Sequence, residues 1–85
     1  MTVNILYFAR LAETLGSKQE ILELPDHCQT ISDLVTLLRA RGEPFDSAFD
    51  GDTRVLVAIN QEMGESGQSI QDGDEVAFFP PVTGG

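Results

Sequence analysis

The sequence is poor in the residues from which active sites are usually built. It has one cysteine, Cys28, and one histidine, His27. A single thiol excludes an internal disulfide framework and a multi-cysteine zinc site. A histidine-dependent dyad would have to use His27 and Cys28 together, and adjacent residues on a loop rarely converge on one atom. No nucleophilic-cysteine signature surrounds the pair, and free cysteine is more often buried than reactive. Basic residues are scarce: Lys and Arg number 5 against 14 Asp and Glu, a formal charge of −9. That balance argues against a nucleic-acid or anionic-membrane surface and favours salt-sensitive encounter with basic protein partners. No apolar run approaches the ~20 residues that span a bilayer. The stretch Val3 to Ala9 lacks a preceding basic region and a small-residue cleavage site, so it reads as a strand and not a signal peptide. No glycine opens a helix after a strand, which excludes a phosphate cradle. These absences predict a cytoplasmic domain that binds no cofactor of its own.

The acidic residues do not compose a metal site either. Asp46, Asp50 and Asp52 around Gly51 superficially match a calcium loop, but Ala48 stands at its third position and Val57 where the bidentate glutamate belongs. Asp72-Gly73-Asp74 is turn chemistry. The expectation is no bound metal.

What is present is a well-patterned small domain. With 85 residues and 41% hydrophobic content, the chain suits one globular unit. Thr2 to Phe8 is rich in β-formers and alternates weakly, with apolar residues on both faces, as expected of a strand that is either central in a covered sheet or covers a partner with its second face. Ala9 to Leu15 has helical spacing and is closed by Gly16. Gln19 to Leu24 predicts a second strand ending at Pro25. Ile31, Leu34, Val35 and Leu38 mark one face of a helix over 31–41, with Thr30 as N-cap, Asp33 completing a capping box, and Gly42 as the stop. Glu43 to Thr53 is a polar connection that Ala48 and Phe49 could pin down. Arg54 to Ile59 predicts a third strand, followed by a turn at 60–62. Residues 63–69 read equally as a short strand or an irregular segment. A turn around Gly73 leads to a last strand over 75–79.

One amphipathic helix has one apolar stripe and must lie across one face of a single sheet. The order therefore predicts an α+β, ubiquitin-like β-grasp fold: a mixed β-sheet with one long helix packed across one face. The first and last strands should be central, parallel neighbours. If Val3, Ile5, Tyr7, Val76 and Phe78 face the helix, then Leu6, Phe8, Ala77 and Phe79 lie on the opposite face as an apolar patch.

The domain should occupy residues 1–79 and an extended tail residues 80–85. Pro80 and Pro81 cannot donate to a sheet ladder and favour an extended course. Val82 and Thr83 follow, and Gly84 and Gly85 have no Cβ, so that stretch of backbone fits a slot too narrow for any other residue. Six extended residues reach roughly 20 Å. A stiff spacer with a bare acyl terminus suits delivery of a carboxyl group into a partner's active site.

The run from Asp72 to Gly85, with Ile5-Leu6-Tyr7-Phe8-Ala9-Arg10-Leu11 and Val57-Ala58-Ile59-Asn60-Gln61, resembles the MoaD family of molybdopterin synthase small subunits. The resemblance implies a sulfur carrier of molybdenum cofactor biosynthesis, not catalytic alone. Gly85 would be adenylated by an E1-like enzyme using Mg-ATP, converted to a thiocarboxylate by a sulfur donor enzyme, and would give its sulfur to cyclic pyranopterin monophosphate. That transfer takes place in the large subunit, within a heterotetramer of two small and two large subunits. Gly84 would allow passage through both partners' channels, and Phe8, Met63 and Phe79 would anchor both partners. The alternatives are a carrier for thiamine or cysteine synthesis, or a ubiquitin-like protein modifier.

Overall fold

The computed structural model describes residues 1–50 and 54–81. Strand β1 (Thr2–Tyr7) leads into helix α1 (Ala9–Leu15) and strand β2 (Gln19–Glu23). Helix α2 (Ile31–Arg39) and the short helix α3 (Phe45–Ala48) follow, and then strands β3 (Leu56–Ile59), β4 (Glu62–Met63) and β5 (Glu75–Phe79). The five strands form one sheet in the order β2-β1-β5-β3-β4. β1 and β5 are parallel and central, with Ile5 opposite Val76 and Tyr7 opposite Phe78; the other neighbours are antiparallel. This is the expected β-grasp sheet.

Local chemistry explains where the elements start and stop. The Thr30 side chain accepts the Asp33 N–H, and Asp33 accepts the Thr30 N–H, so the capping box forms in full. The Gln29 and Thr30 backbone N–H groups also hold the Asp33 carboxyl below its ordinary range. α1 ends at Gly16, whose φ of 72° is the left-handed conformation that glycine adopts without penalty. The β3–β4 turn carries left-handed φ at both Asn60 and Gln61, matching the twist of a tight hairpin.

Several boundaries differ from those read in the sequence: β1 stops at Tyr7 and not Phe8, β2 at Glu23 and not Leu24, and β4 takes Glu62 from the expected turn. α2 ends at Arg39, not Arg41, because Arg41 turns away to pair with Glu20 of β2. Gly42 still adopts a left-handed φ of 89°, but three residues beyond the last helical residue. β3 starts at Leu56 and not Arg54, since its pairing with β5 begins opposite Phe79. The connection after α2 is not merely polar: it contains α3, and Ala48 and Phe49 are buried as expected.

The core lies between the sheet and the helices. Val3, Ile5, Tyr7, Val76 and Phe78 meet Ile31, Leu34 and Leu38 of α2, all nearly inaccessible. Alternation along β1 and β5 thus points Tyr7 and Phe78 inward, as expected. Cys28 belongs to the same core, and burial together with Asp33 pushes its thiol up, away from the reactive thiolate.

Candidate functional site

The other face of the sheet has no helix over it among the described residues, and its apolar half lies where β1 and β5 end. Leu56 stands opposite Phe79, and Met63, Ala58, Ala77 and Leu6 form one row across four strands. Directly paired residues project on the same side, so this row is a continuous apolar strip. Phe8 follows Tyr7 in extended conformation, and its N–H donates to the Phe78 carbonyl at 3.1 Å, extending the pairing by one step. Phe8 is 48% exposed and Met63 64%, while Phe79 is half-buried. All three residues expected to anchor partners therefore share one face. Toward the other end that face turns polar, with Thr2, Asn4 and Glu75, apart from Ile21, which is exposed.

Ala9 explains how β1 can end in this way. Its φ is 55°, an uncommon conformation for a residue with a Cβ and one that costs roughly 1 kcal/mol. The reversal leaves Phe8 on the open face and sends Arg10 toward the groove beside β5. Nothing in the sequence announces this, because alanine has no preference for the left-handed region.

A network on the covered side fixes the same end of the sheet. The Tyr7 hydroxyl donates to Glu20 Oε2 at 2.8 Å, and Arg41 donates through both Nη atoms to the two Glu20 oxygens at 2.9 and 2.8 Å. The Arg41 guanidinium also lies 4.9 Å from the centre of the Phe45 ring, which meets Tyr7 edge-on. Tyr7 in turn stacks on Phe78, which meets Phe49 edge-on. Arg41 holds the Glu20 carboxyl below its ordinary range, helped by the Tyr7 hydroxyl. Burial, and then the bond to Glu20, pushes the Tyr7 phenol far above its own. Glu20 therefore remains a carboxylate and Tyr7 a neutral donor. Residues 7, 20, 41, 45 and 78 come from five places in the chain, which is why periodicity did not reveal them.

β5 ends at Phe79. Pro80 and Pro81 leave the ladder and lie half-buried against the body, lining a groove of about 270 Å³ with Arg10, Leu11, Arg54 and Val55. Val82, Thr83, Gly84 and Gly85, expected to form the rest of the reactive tail, lie outside the described residues, as do Gly51 and Asp52 of the acidic loop. Among the described residues no cluster of His, Cys, Asp and Glu could hold a metal ion, and no helix is long and apolar enough to cross a membrane.

Comparison with known proteins adds the following. Residues 5–85 match the model of the ThiS family. The molybdopterin synthase sulfur carrier subunit of Haemophilus influenzae is 36% identical, over 98% of this chain and 99% of its own. The crystal structure of the Haloferax volcanii small archaeal modifier protein 1 is 30% identical, covers 95% of this chain and 98% of its own, and superposes with a TM-score of 0.78. A Helicobacter pylori structure, titled a complex of subunits 1 and 2 of molybdopterin-converting factor, contains a chain with the same fold at a TM-score of 0.66. That chain is 19% identical, with coverage of 100% of both chains.

Proposed function

The chain belongs to the ThiS family and, within it, to the molybdopterin synthase sulfur carrier subunits, and from that premise we propose that it carries sulfur on Gly85 for molybdenum cofactor biosynthesis. The observation that carries the reading is the ending of β5. A central strand, held on one side by the core and bordered on the other by exposed Phe8 and Met63, gives way at Phe79 to Pro80. A chain leaving from mid-sheet beside an apolar platform is anchored at its base, and a partner gripping the platform receives the tail at a fixed place.

The chemistry follows from what a carboxylate lacks. Its negative charge repels nucleophiles and its leaving group would be oxide. In the proposed sequence, an E1-like enzyme with Mg-ATP transfers AMP to the Gly85 carboxylate, releasing pyrophosphate. The acyl-adenylate now has a phosphate leaving group. Sulfur from a donor enzyme displaces AMP and leaves a thiocarboxylate. The tail then enters the large subunit, where its sulfur passes to cyclic pyranopterin monophosphate. The dithiolene of molybdopterin needs two sulfurs, hence two carrier turnovers. This chain's own residues bind and orient: Phe8, Met63 and Phe79 seat the body, and Pro80 to Gly84 form the spacer that carries Gly85 inward. A heterotetramer of two small and two large subunits, working in the cytoplasm, completes the proposal.

The likeness to the archaeal modifier favours one second reading, attachment of the activated Gly85 to lysines of target proteins. The two are separated by mixing thiocarboxylated protein with the pterin precursor, with and without the large subunit. The carrier reading expects conversion only when the large subunit is present. Absence of conversion, with covalent adducts on other proteins instead, would leave the modifier reading standing.

A further inference from the structure

The cations of this protein are gathered at one end, whereas its anions are spread over both. All 5 of its cations stand at the end of the sheet where the tail leaves. Arg10 follows Phe8 by two residues, and the Lys18 carbonyl accepts the Tyr7 N–H. Arg41 pairs with Glu20, and Arg39 with Asp46 of α3. Arg54 precedes the strand whose Leu56 pairs with Phe79. The opposite end is acidic: Glu23 pairs with Thr2, Asp72 accepts the Thr2 N–H, Asp74 accepts from Asn60, and Glu62 and Glu75 stand nearby. Among the described residues the pairs with Glu20 and Asp46 neutralise two cations, leaving Arg10, Lys18 and Arg54 without an ion-pair partner. Arg10 and Arg54 line the same groove as Pro80 and Pro81. Among the described residues the anions on the elements nearest to them are Glu13 on α1, Glu43 and Asp46 at α3, and Asp50 after it, all exposed, with Asp46 already paired to Arg39. In a protein of net charge −9, the two guanidinium groups without an ion-pair partner among the described residues thus both stand at the root of the tail.

We propose that Arg10 and Arg54 dock on a carboxylate-bearing rim around the mouth of the channel that receives the tail on a partner protein. The inference rests on the carrier reading and adds to it the charge pattern of the mouth. Gly85 is the fourth residue after Pro81, so an extended tail carries its carboxylate up to roughly 14 Å beyond the groove. The partner must therefore be basic deep inside, where an anion arrives, acidic at the rim, where two arginines arrive, and apolar beside it, where Phe8 and Phe79 land. Arginine suits such a rim because its planar fork pairs with a carboxylate through two hydrogen bonds. The separation of charge also orients the approach: the acidic end is repelled by the rim while the tail end is drawn in, which raises the rate of productive encounter.

The test compares two variants with equal change of net charge. Arg10→Gln with Arg54→Gln removes the two cations at the tail root. Ser66→Glu with Gln71→Glu, exposed residues near the α2 start and the β5 turn, adds two charges at the opposite end. Association with the large subunit and with the activating enzyme is followed by stopped flow across ionic strength, and thermal melts confirm that both variants fold. The arginine variant should associate about tenfold more slowly at low salt and lose most of the salt dependence. The control should keep the salt slope of the unaltered protein. Equal slopes for the arginine variant and the unaltered protein would overturn the rim while leaving the carrier reading intact. If the unaltered protein binds neither partner, the carrier reading falls and this inference falls with it.

Discussion

Phe78 and Phe79 are adjacent in sequence, identical in chemistry and opposite in consequence. Phe78 is 1% exposed, stacked on Tyr7 and met edge-on by Phe49, so it belongs to the core. Phe79 faces the other way, opposite Leu56 and next to the Phe8 side of the sheet, half-open to solvent. Tyr7 and Phe8 repeat the contrast on the neighbouring strand, with Tyr7 buried and Phe8 exposed. The period of two in a strand is enough to divide four consecutive-pair aromatics into two that hold the fold and two that are free for a partner. The proposed partner contacts thus fall on the side chains that the core leaves out.

Substitutions at the two phenylalanines test that division. Phe78→Ala should cost about 3–5 kcal/mol, the usual range for an aromatic removed from a packed core, and would leave an 85-residue domain largely unfolded or nearly so. Chemical denaturation measures it directly. Phe79→Ala should lower stability far less but weaken binding to the large subunit and the activating enzyme by roughly 10-fold to 100-fold, as loss of an interface anchor does. Titration calorimetry on the folded variant reads that loss. A Phe79→Ala protein that binds both partners normally would remove the open face from the account.

The alternation that separates these residues was legible only in part: the first and last strands are apolar on both faces, so their pattern shows which residues share a face, and the fold decides that Val3, Ile5, Tyr7, Val76 and Phe78 are the ones inside. The capping box at Thr30 and Asp33 was legible in full: its residues are three apart and their chemistry is local. The Tyr7–Glu20–Arg41–Phe45 cluster was not. Its members are joined by the tertiary fold, and a tyrosine on a strand carries no sign of a carboxylate 13 residues away. Arg41 was expected in the last turn of α2, and its attraction to Glu20 is what pulls it out. The convergence of Arg10 and Arg54 on one groove was equally hidden, since only the left-handed turn at Ala9 and the start of β3 bring them together.

The cluster on the covered side makes a smaller prediction. Glu20 has a folded-state pKa below its unfolded value because Arg41 and Tyr7 hydrogen-bond to its carboxylate. Its contribution to stability is therefore complete above the ordinary glutamate pKa and is lost as pH falls through the lowered value. Arg41→Ala removes the main cause of that shift. Melting temperature followed from pH 7 downward should start lower in the variant and fall less steeply below the ordinary glutamate pKa, so that the gap between the two proteins narrows in acid. The open face should be indifferent: Phe79→Ala leaves Glu20 untouched and should keep the unaltered acid limb. Superimposable acid limbs for Arg41→Ala and the unaltered protein would separate Glu20 from the stability of this end of the sheet.

All of this makes the body a holder for one chemical group. The most direct test is the intact mass of the protein after incubation with Mg-ATP, the activating enzyme and a sulfur donor. The account predicts a gain equal to one oxygen-for-sulfur exchange, located on Gly85 by fragmentation and absent from a protein lacking Gly84 and Gly85. An unchanged mass under conditions in which the enzyme adenylates the chain, or sulfur found on Cys28 and not on Gly85, would contradict it.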